Sequence, residues 1–395
     1  MSTKAGTGYS AAEGATEAGR AAAEAAIASM GGGGADLVLA FASTGYPYSE
    51  LLGAIRGVTG AAPLIGCSGA GQFTGDDIGQ RSVVVMTIKS DTIKFQTALG
   101  QGLRSDRAGA VGHAFSAFAE KHRAARAEGL QHATCILCTD GLAGNGEDLV
   151  EAVHAATGML AQVVGGAAAD DAQFERTDVF FDGAHHTDAM VVVYAFSKSP
   201  IGLGVRHGLN PACPSMIVTR ATGNVIHEID GQPAVAAYEK FAKSTGADFT
   251  ADNRETFMIT HEIGMLMPSG EYKVRAPLKA NDDGSLVMAS EVPSGASVSI
   301  MAGTNDGLVA AAKEAARSAM SNLGGARPAA VIAFDCICRR IFLGDHYRQQ
   351  VDAFKSVVGE GVPVIGWETY GEIAMTPSQH SGWHNSTTVL AILPE

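Results

Sequence analysis

The chain has 395 residues, 46% of them hydrophobic and 17% charged, which is a globular composition long enough for two or three domains. Asp and Glu outnumber Lys and Arg by 41 to 28, for a net charge of −13 with no basic cluster, and this argues against a nucleic-acid partner. No apolar run reaches the ~20 residues of a bilayer span and the N-terminus lacks the order of a signal peptide, so a soluble cytoplasmic protein with no membrane partner is expected.

Residues 1–9 are small and polar and read as a disordered start, followed by an Ala/Glu-rich helix from Ser10 to Met30 that ends at Gly31 to Gly34. The apolar run Asp36 to Thr44 reads as a strand covered on both faces. A helix from about Ser49 follows, then a short Gly-ended strand in Pro63 to Gly71 and a strand from Ser82 to Lys89. The same order recurs from His132, through a helix, a Gly-ended strand from Gln162 and the strand Ala189 to Ser197. It recurs again from Pro328, through a helix over Asp345 to Val358, the segment from Pro363 and the final strand from Thr387.

Between the second and third copies, Val218 to Phe241 reads as a hairpin turning at Gly223-Asn224 and a helix begun at Gln232-Pro233. Met258 to Ile300 is strand-rich, and Asp306 to Leu323 is an amphipathic helix ended by Gly324-Gly325. The expected architecture is α/β, a two-part protein of repeated strand-helix-strand units with central sheets covered by helices. Its expected parts are a tail and helix over residues 1–30, a first domain over 31–210 and a second over 211–395.

Six cysteines are too sparse for a disulfide framework. Cys135 and Cys138 stand three apart on a strand, on opposite faces, and so cannot share a metal. Cys336 and Cys338 share a strand face beside Arg339 and Arg340, an arrangement that leaves packing, a reactive thiolate or, least of all, zinc open. No HExxH is present, His185-His186 lies in a turn, and Ser381-Gly382 breaks any helix between His380 and His384, either of which could ligate a cofactor. Gly66-Cys67-Ser68-Gly69 misses the spacing of a nucleophile elbow. The Gly-rich segments lack the Lys of a phosphate cradle, and Glu147 and Asp148 would repel a phosphate at the one that leads into a helix.

What remains are polar residues at the C-terminal ends of strands, where such sheets bind ligands: Cys67, Ser68, Asp140, Asn145, Asp170, Asp171, Asp335, Cys336, Arg339, Tyr370, Glu372, His384 and Asn385. These groups suit a small polar or zwitterionic molecule, with Arg339 on a carboxylate and an acid on an amine, and they equally suit turn capping.

Leu64-IGCSGAGQF, Asp140-GLAGN, Gly165-GAAADD, the Val218 to Tyr238 segment, Phe334-DCICRR, Gly366-WETYGEIA and His384-Asn385 together resemble the FIST domain (F-box and intracellular signal transduction), its N-terminal and C-terminal halves in order over about residues 20 to 393. The resemblance implies a bacterial sensory module for a small ligand, with the strand-end residues above as its site and Trp367 narrowing the pocket. Some members are haem-binding nitric-oxide sensors that work with histidine kinases. Here no output domain is expected after Glu395, so the ligand-bound state would pass to a separate partner such as a kinase. Haem is the alternative cofactor, with His207, His227 or His384 as axial ligand. An enzyme using Cys67 or Cys336 with His384 as base is the third reading. It is disfavoured because no local cation activates either thiol.

Overall fold

A computed structural model describes residues 2–375 and 382–395. His380 and Ser381 lie outside the described residues. The first copy runs β1 (Thr3–Ser10), α1 (Ala15–Met30), β2 (Leu37–Ala42), α2 (Tyr48–Thr59), β3 (Leu64–Ser68), β4 (Gln72–Thr74), β5 (Ile78–Gly79) and β6 (Val83–Ser90). The second runs β7 (Ile93–Gln101), α3 (Arg107–Phe115), α4 (Phe118–Ala127), β8 (His132–Thr139), α5 (Gly146–Thr157), β9 (Gln162–Ala167), β10 (Val179–Phe181), β11 (Ala184–His186) and β12 (Ala189–Ser197).

The third copy opens with β13 (Gly202–Arg206) and is then interrupted by β14 (Asn210–Pro211), β15 (Met216–Thr222), β16 (Val225–Ile229), β17 (Gln232–Pro233), α6 (Val235–Thr245), α7 (Arg254–Thr260), β18 (Ile263–Leu266), β19 (Tyr272–Arg275), β20 (Pro277–Ala280), β21 (Leu286–Met288) and β22 (Ser297–Ala302). It resumes with α8 (Asn305–Asn322), β23 (Pro328–Cys336), α9 (Ile337–Leu343), α10 (Tyr347–Val358), β24 (Val364–Thr369), β25 (Glu372–Ala374), β26 (Trp383–His384) and β27 (Thr388–Pro394).

The α/β architecture of repeated units is as expected, and each copy builds one six-stranded sheet in the same order. Strands β1-β6-β2-β3, β7-β12-β8-β9 and β13-β27-β23-β24 correspond, with the last two of each set parallel and the rest antiparallel. After its Gly-ended strand each copy crosses to a neighbour. β4 adds to β24, β25 adds to β9 and β10 adds to β3, so the three sheets are linked in a ring. Their inner faces share one core, with Phe41, Cys67, Cys138, Phe334 and Trp367 among its residues. Their outer faces are covered by α1 and α2, by α3 to α5, and by α8 and α10. Burial on both faces explains the unbroken apolar runs in the sequence. Residues 210–302 add a nine-stranded sheet with its own core around Tyr238, Phe241 and Ile300. Among the described residues no helix is long and apolar enough to cross a membrane.

Two expectations need correction. Residues 3–10 are not disordered: they form β1, paired with β6 over its whole length, because Gly6 and Gly8 let α1 lie directly on the strand. Cys338, Arg339 and Arg340 are not on a strand, since β23 ends at Cys336 and α9 begins at Ile337. The strand expectation for Cys135 and Cys138 matches the structure, with Cys138 in the shared core and Cys135 beneath the helices, both thiols free.

The recurrent glycine has a packing cause. A Cβ at Gly66 would lie 1.6 Å from the Ala40 carbonyl oxygen, at Gly165 2.2 Å from that of Leu137, and at Gly366 2.2 Å from the Phe73 ring. Gly366→Ala is expected to destabilise the fold by about 1–3 kcal/mol through overpacking, read from urea unfolding.

Candidate functional site

The three crossings meet at one end of the shared core. Ala70 N–H donates to the Glu368 carbonyl (3.1 Å), Ala169 N–H to that of Ser68 (3.0 Å) and Tyr370 N–H to that of Ala167 (3.3 Å). These are equivalent positions in the three copies, so the bonds form a closed ring. Directly beneath it Trp367 is fully buried, with its ring 3.9 Å from that of Phe41 and 4.9 Å from that of Phe334. The centre is therefore filled, and open space lies beside it.

The larger opening, about 640 Å³, is walled by Thr44, Ala70, Arg81, Asp171, Arg340 and Glu368, so that the strand ends of all three copies contribute. Glu368 is buried, with one carboxyl oxygen 3.8 Å from Arg340 Nε and the other without a hydrogen-bond partner. Burial pushes its pKa up to about 8, with Asp335 and Asp171 adding to the shift and Arg340 opposing it. The Glu368 carboxyl fills the place a side chain at Gly71 would take, 2.6 Å from that Cβ position. Arg340 lies 5.0 Å over the Tyr347 ring and keeps partial exposure.

The opposite wall is backbone held away from its preferred conformation. Asp171, Ala172 and Phe174 have φ of 56°, 61° and 55°, a left-handed conformation that costs roughly 1–2 kcal/mol per residue with a Cβ. Asp170 holds the loop by accepting from the Phe174, Glu175 and Arg176 N–H groups at 2.9, 2.7 and 2.8 Å and from the Tyr370 hydroxyl. Phe174 stacks on Tyr370 with centroids 4.6 Å apart. Asp171 accepts from the Thr44 hydroxyl (2.9 Å), and burial raises its pKa. Beyond this loop a second space of about 400 Å³ lies at the start of α2, where Arg176 makes two 2.9 Å bonds to Asp178 and His185 Nδ1 lies 2.8 Å from it.

The other residues singled out from the sequence are distributed differently. Asp140 accepts from Leu142 N–H (2.8 Å), the Thr177 hydroxyl (2.5 Å) and Asp188 N–H (2.5 Å), while Asn145 caps α5 through Glu147 N–H (3.0 Å). Ser68 accepts from Asp178 N–H (3.1 Å). Cys67 faces Cys138 in the core, and burial pushes its thiol up. Cys336 and Cys338 adjoin one another near Glu262 at the start of α9, and burial likewise raises the Cys336 thiol.

Asp335, Arg339 and Glu372 are all buried around the third copy. Asp335 accepts from Thr388 (2.5 Å) and Gln350 (2.7 Å). The Arg339 guanidinium donates to Gln350 Oε1 (2.8 Å) and to the carbonyls of His207 (2.6 Å) and Leu308 (2.8 Å). Glu372 accepts from the Thr369 hydroxyl (2.5 Å) and from Thr387 N–H (3.0 Å) and hydroxyl (2.8 Å). Asn385 accepts from Ser290 (3.2 Å), and His384 Nε2 lies 2.8 Å from the Ala374 carbonyl.

The crevice thus joins Asp171, on the loop that Asp170 and Tyr370 hold, with Arg340 and Glu368, which sequence reasoning passed over. Glu368 occupies the place of Ser68 in the aligned copies and was findable by that alignment. Arg340 was not, because reading Cys336 to Arg340 as a strand assigns the wrong face to each residue.

Haem does not fit the cavity where His207 and His384 meet. That space is about 210 Å³, below the roughly 300–1,000 Å³ of sites that enclose drug-sized ligands. His207 Nδ1 accepts from Leu209 N–H (3.0 Å), and its ring also bonds the Tyr272 backbone.

Residues 36–232 match the FIST N domain and residues 234–375 the FIST C domain. Over 148 residues the chain is 28% identical to an uncharacterized protein of Methanocaldococcus jannaschii, a match spanning 35% of this chain and only 29% of that protein. Among solved structures, a cyanuric acid hydrolase aligns over 100% of both chains at 9% identity and a TM-score of 0.39. The cyanuric acid hydrolase of A. caulinodans aligns over 100% of this chain and 99% of its own at 10% identity and a TM-score of 0.36. With the two domain matches together covering most of its length in the expected order, the chain belongs to the FIST family.

Proposed function

We propose that this protein is a sensory small-ligand-binding protein whose ligand occupies the crevice beside Glu368 and signals through a separate partner such as a histidine kinase. The observation that carries the reading is the buried Glu368 carboxyl oxygen that lacks a hydrogen-bond donor on the wall of an open space. An unsatisfied buried acceptor costs roughly 1–3 kcal/mol, and a ligand N–H would remove that cost. Arg340 and Arg81 on the same walls suit a carboxylate, so the ligand class is a small zwitterion. The ordered, left-handed loop held by Asp170 is the element able to report occupancy, because its two sides face the two spaces.

A panel of amino acids and related zwitterions tested by thermal shift and calorimetry would find the ligand. Binding is expected to weaken by about 1.5–3 kcal/mol in both Arg340→Ala and Glu368→Gln, the range for hydrogen bonds to charged groups. Unchanged affinity in both variants would refute the site. Because a bound ammonium favours the Glu368 carboxylate, whose pKa of about 8 leaves it mostly protonated at pH 7, binding is expected to release a proton. Calorimetry in buffers of different ionisation enthalpy reads that release, and Glu368→Gln should abolish it.

A further inference from the structure

The three copies place three equivalent edge strands, β1, β7 and β13, at the seams between sheets, and among the described residues β7 is the least covered, touched at its end by His186 of β11 through Gln101 (3.2 Å). β1 lies against β4 and β23, with the Tyr9 hydroxyl packed on Gly79 of β5. β13 lies against β25, and Tyr272 to Val274 of the inserted sheet stand across a cavity of about 210 Å³ from its Val205 and Arg206. Beside the C-terminal half of β7 a groove of about 660 Å³ remains, lined by its Ala98, Leu99 and Gln101 and by Phe181 of β10, and Phe95 to Leu99 are all only half-buried.

The free main-chain groups of β7 can be assigned. In its register with β12, Thr97 faces Val193, and the ladder has no bulge. Gly102 N–H donates to Asp188 (2.8 Å) and Lys198 N–H to the Thr92 carbonyl (3.2 Å) at the two ends. Antiparallel alternation then turns the even-numbered residues of β7 toward β12 and the N–H and carbonyl groups of Phe95, Thr97 and Leu99 outward. Of the usual protections of an edge, β7 has no Pro and no bulge, and its one charged residue, Lys94, stands near the start of the strand and is paired with Glu128.

We infer that two copies of this chain associate by antiparallel pairing of β7 with β7 about a two-fold axis at Thr97. That register is self-complementary. Thr97 meets Thr97 of the second copy and Phe95 meets its Leu99, both as hydrogen-bonded pairs, while Gln96 faces its Ala98 and Lys94 its Gly100. No charge faces its like, and aromatic–aliphatic and Thr–Thr pairs are favourable cross-strand neighbours. Two-fold closure uses the outward groups of both β7 strands and leaves neither free for a third copy, so association through this edge stops at a dimer. This inference is independent of the ligand reading.

Light scattering and sedimentation of the full chain at micromolar concentration test it. The wild type is expected to be a dimer, and Thr97→Lys and Thr97→Glu are each expected to weaken association at least tenfold, because the axis brings like charges together. Circular dichroism and thermal unfolding of each variant show that it folds. Mixing the two variants should restore a one-to-one dimer, since only a two-fold axis through residue 97 places the Lys opposite the Glu. A monomeric wild type, a dimer that survives both substitutions in the folded variants, or a mixture that stays monomeric would each overturn the proposal, including in favour of a peptide from another protein as the natural strand.

Discussion

Arg339→Ala is expected to destabilise the fold by about 3–5 kcal/mol, the range for removing one partner of a buried ionic network. Arg339 is 1% exposed, and its donors are engaged by Gln350 and by the carbonyls of His207 and Leu308, which come from the helix α8 and from the turn after β13. Truncation leaves those acceptors unpaired and removes the nearest cation to Asp335, 3.5 Å from Arg339 Nε. Arg339→Lys should recover little, because an ammonium cannot reach the same set of acceptors in one plane. Urea unfolding of both variants measures the loss, and a cost below about 1 kcal/mol would show that the guanidinium is not a structural tie. The contrast with Arg340 is informative: one residue further along α9, Arg340→Ala should weaken ligand binding while leaving the urea midpoint close to that of the wild type.

The second large effect is on pH. Glu262, Glu368 and Glu372 are buried, and burial pushes their pKa values up to about 7, 8 and 8 from an ordinary 4.5. Between about pH 4.5 and 8 the folded chain therefore holds more protons at these three groups than the unfolded chain, so their contribution to stability falls as pH rises through this window. The contribution is complete below about pH 4.5 and is lost above about pH 8. Asp178, whose carboxyl is held low by Arg176 and His185 against the opposing effect of burial, works in the other direction on acidification, as do His207 and His384, whose imidazoles burial lowers to about 4 and about 3, so that their contribution is lost as pH falls below about 6.5. The maximum should thus lie on the mildly acidic side of neutrality.

Glu372→Gln isolates one proton. Its amide can accept from Thr387 N–H and donate to a Thr hydroxyl, much as the protonated acid does. The variant should match the wild type near pH 5 and exceed it at pH 9, with a slope shallower by up to about 1.4 kcal/mol per pH unit. Chemical unfolding from pH 5 to 9 reads this directly. Equal slopes in the two proteins would show that Glu372 is ionised in the folded state.

By itself the sequence determined the repeated α/β plan, because strands buried on both faces must be apolar throughout, and the close approach of neighbours at Gly66, Gly165 and Gly366 admits no side chain. It also determined the separation of Cys135 from Cys138, which follows from the two-residue period of a strand. Local polarity could not place β1, whose small residues are chosen for contact with α1 and carry no hydrophobic signal of their own. Tertiary structure alone decided the exchange of β4, β10 and β25 among the sheets, since a three-residue strand is defined by the partner it meets rather than by its propensity. It also decided which of two adjacent arginines is buried. Once α9 begins at Ile337, consecutive residues turn by about 100° rather than alternating, so Arg339 enters the core while Arg340 reaches the crevice wall beside Glu368.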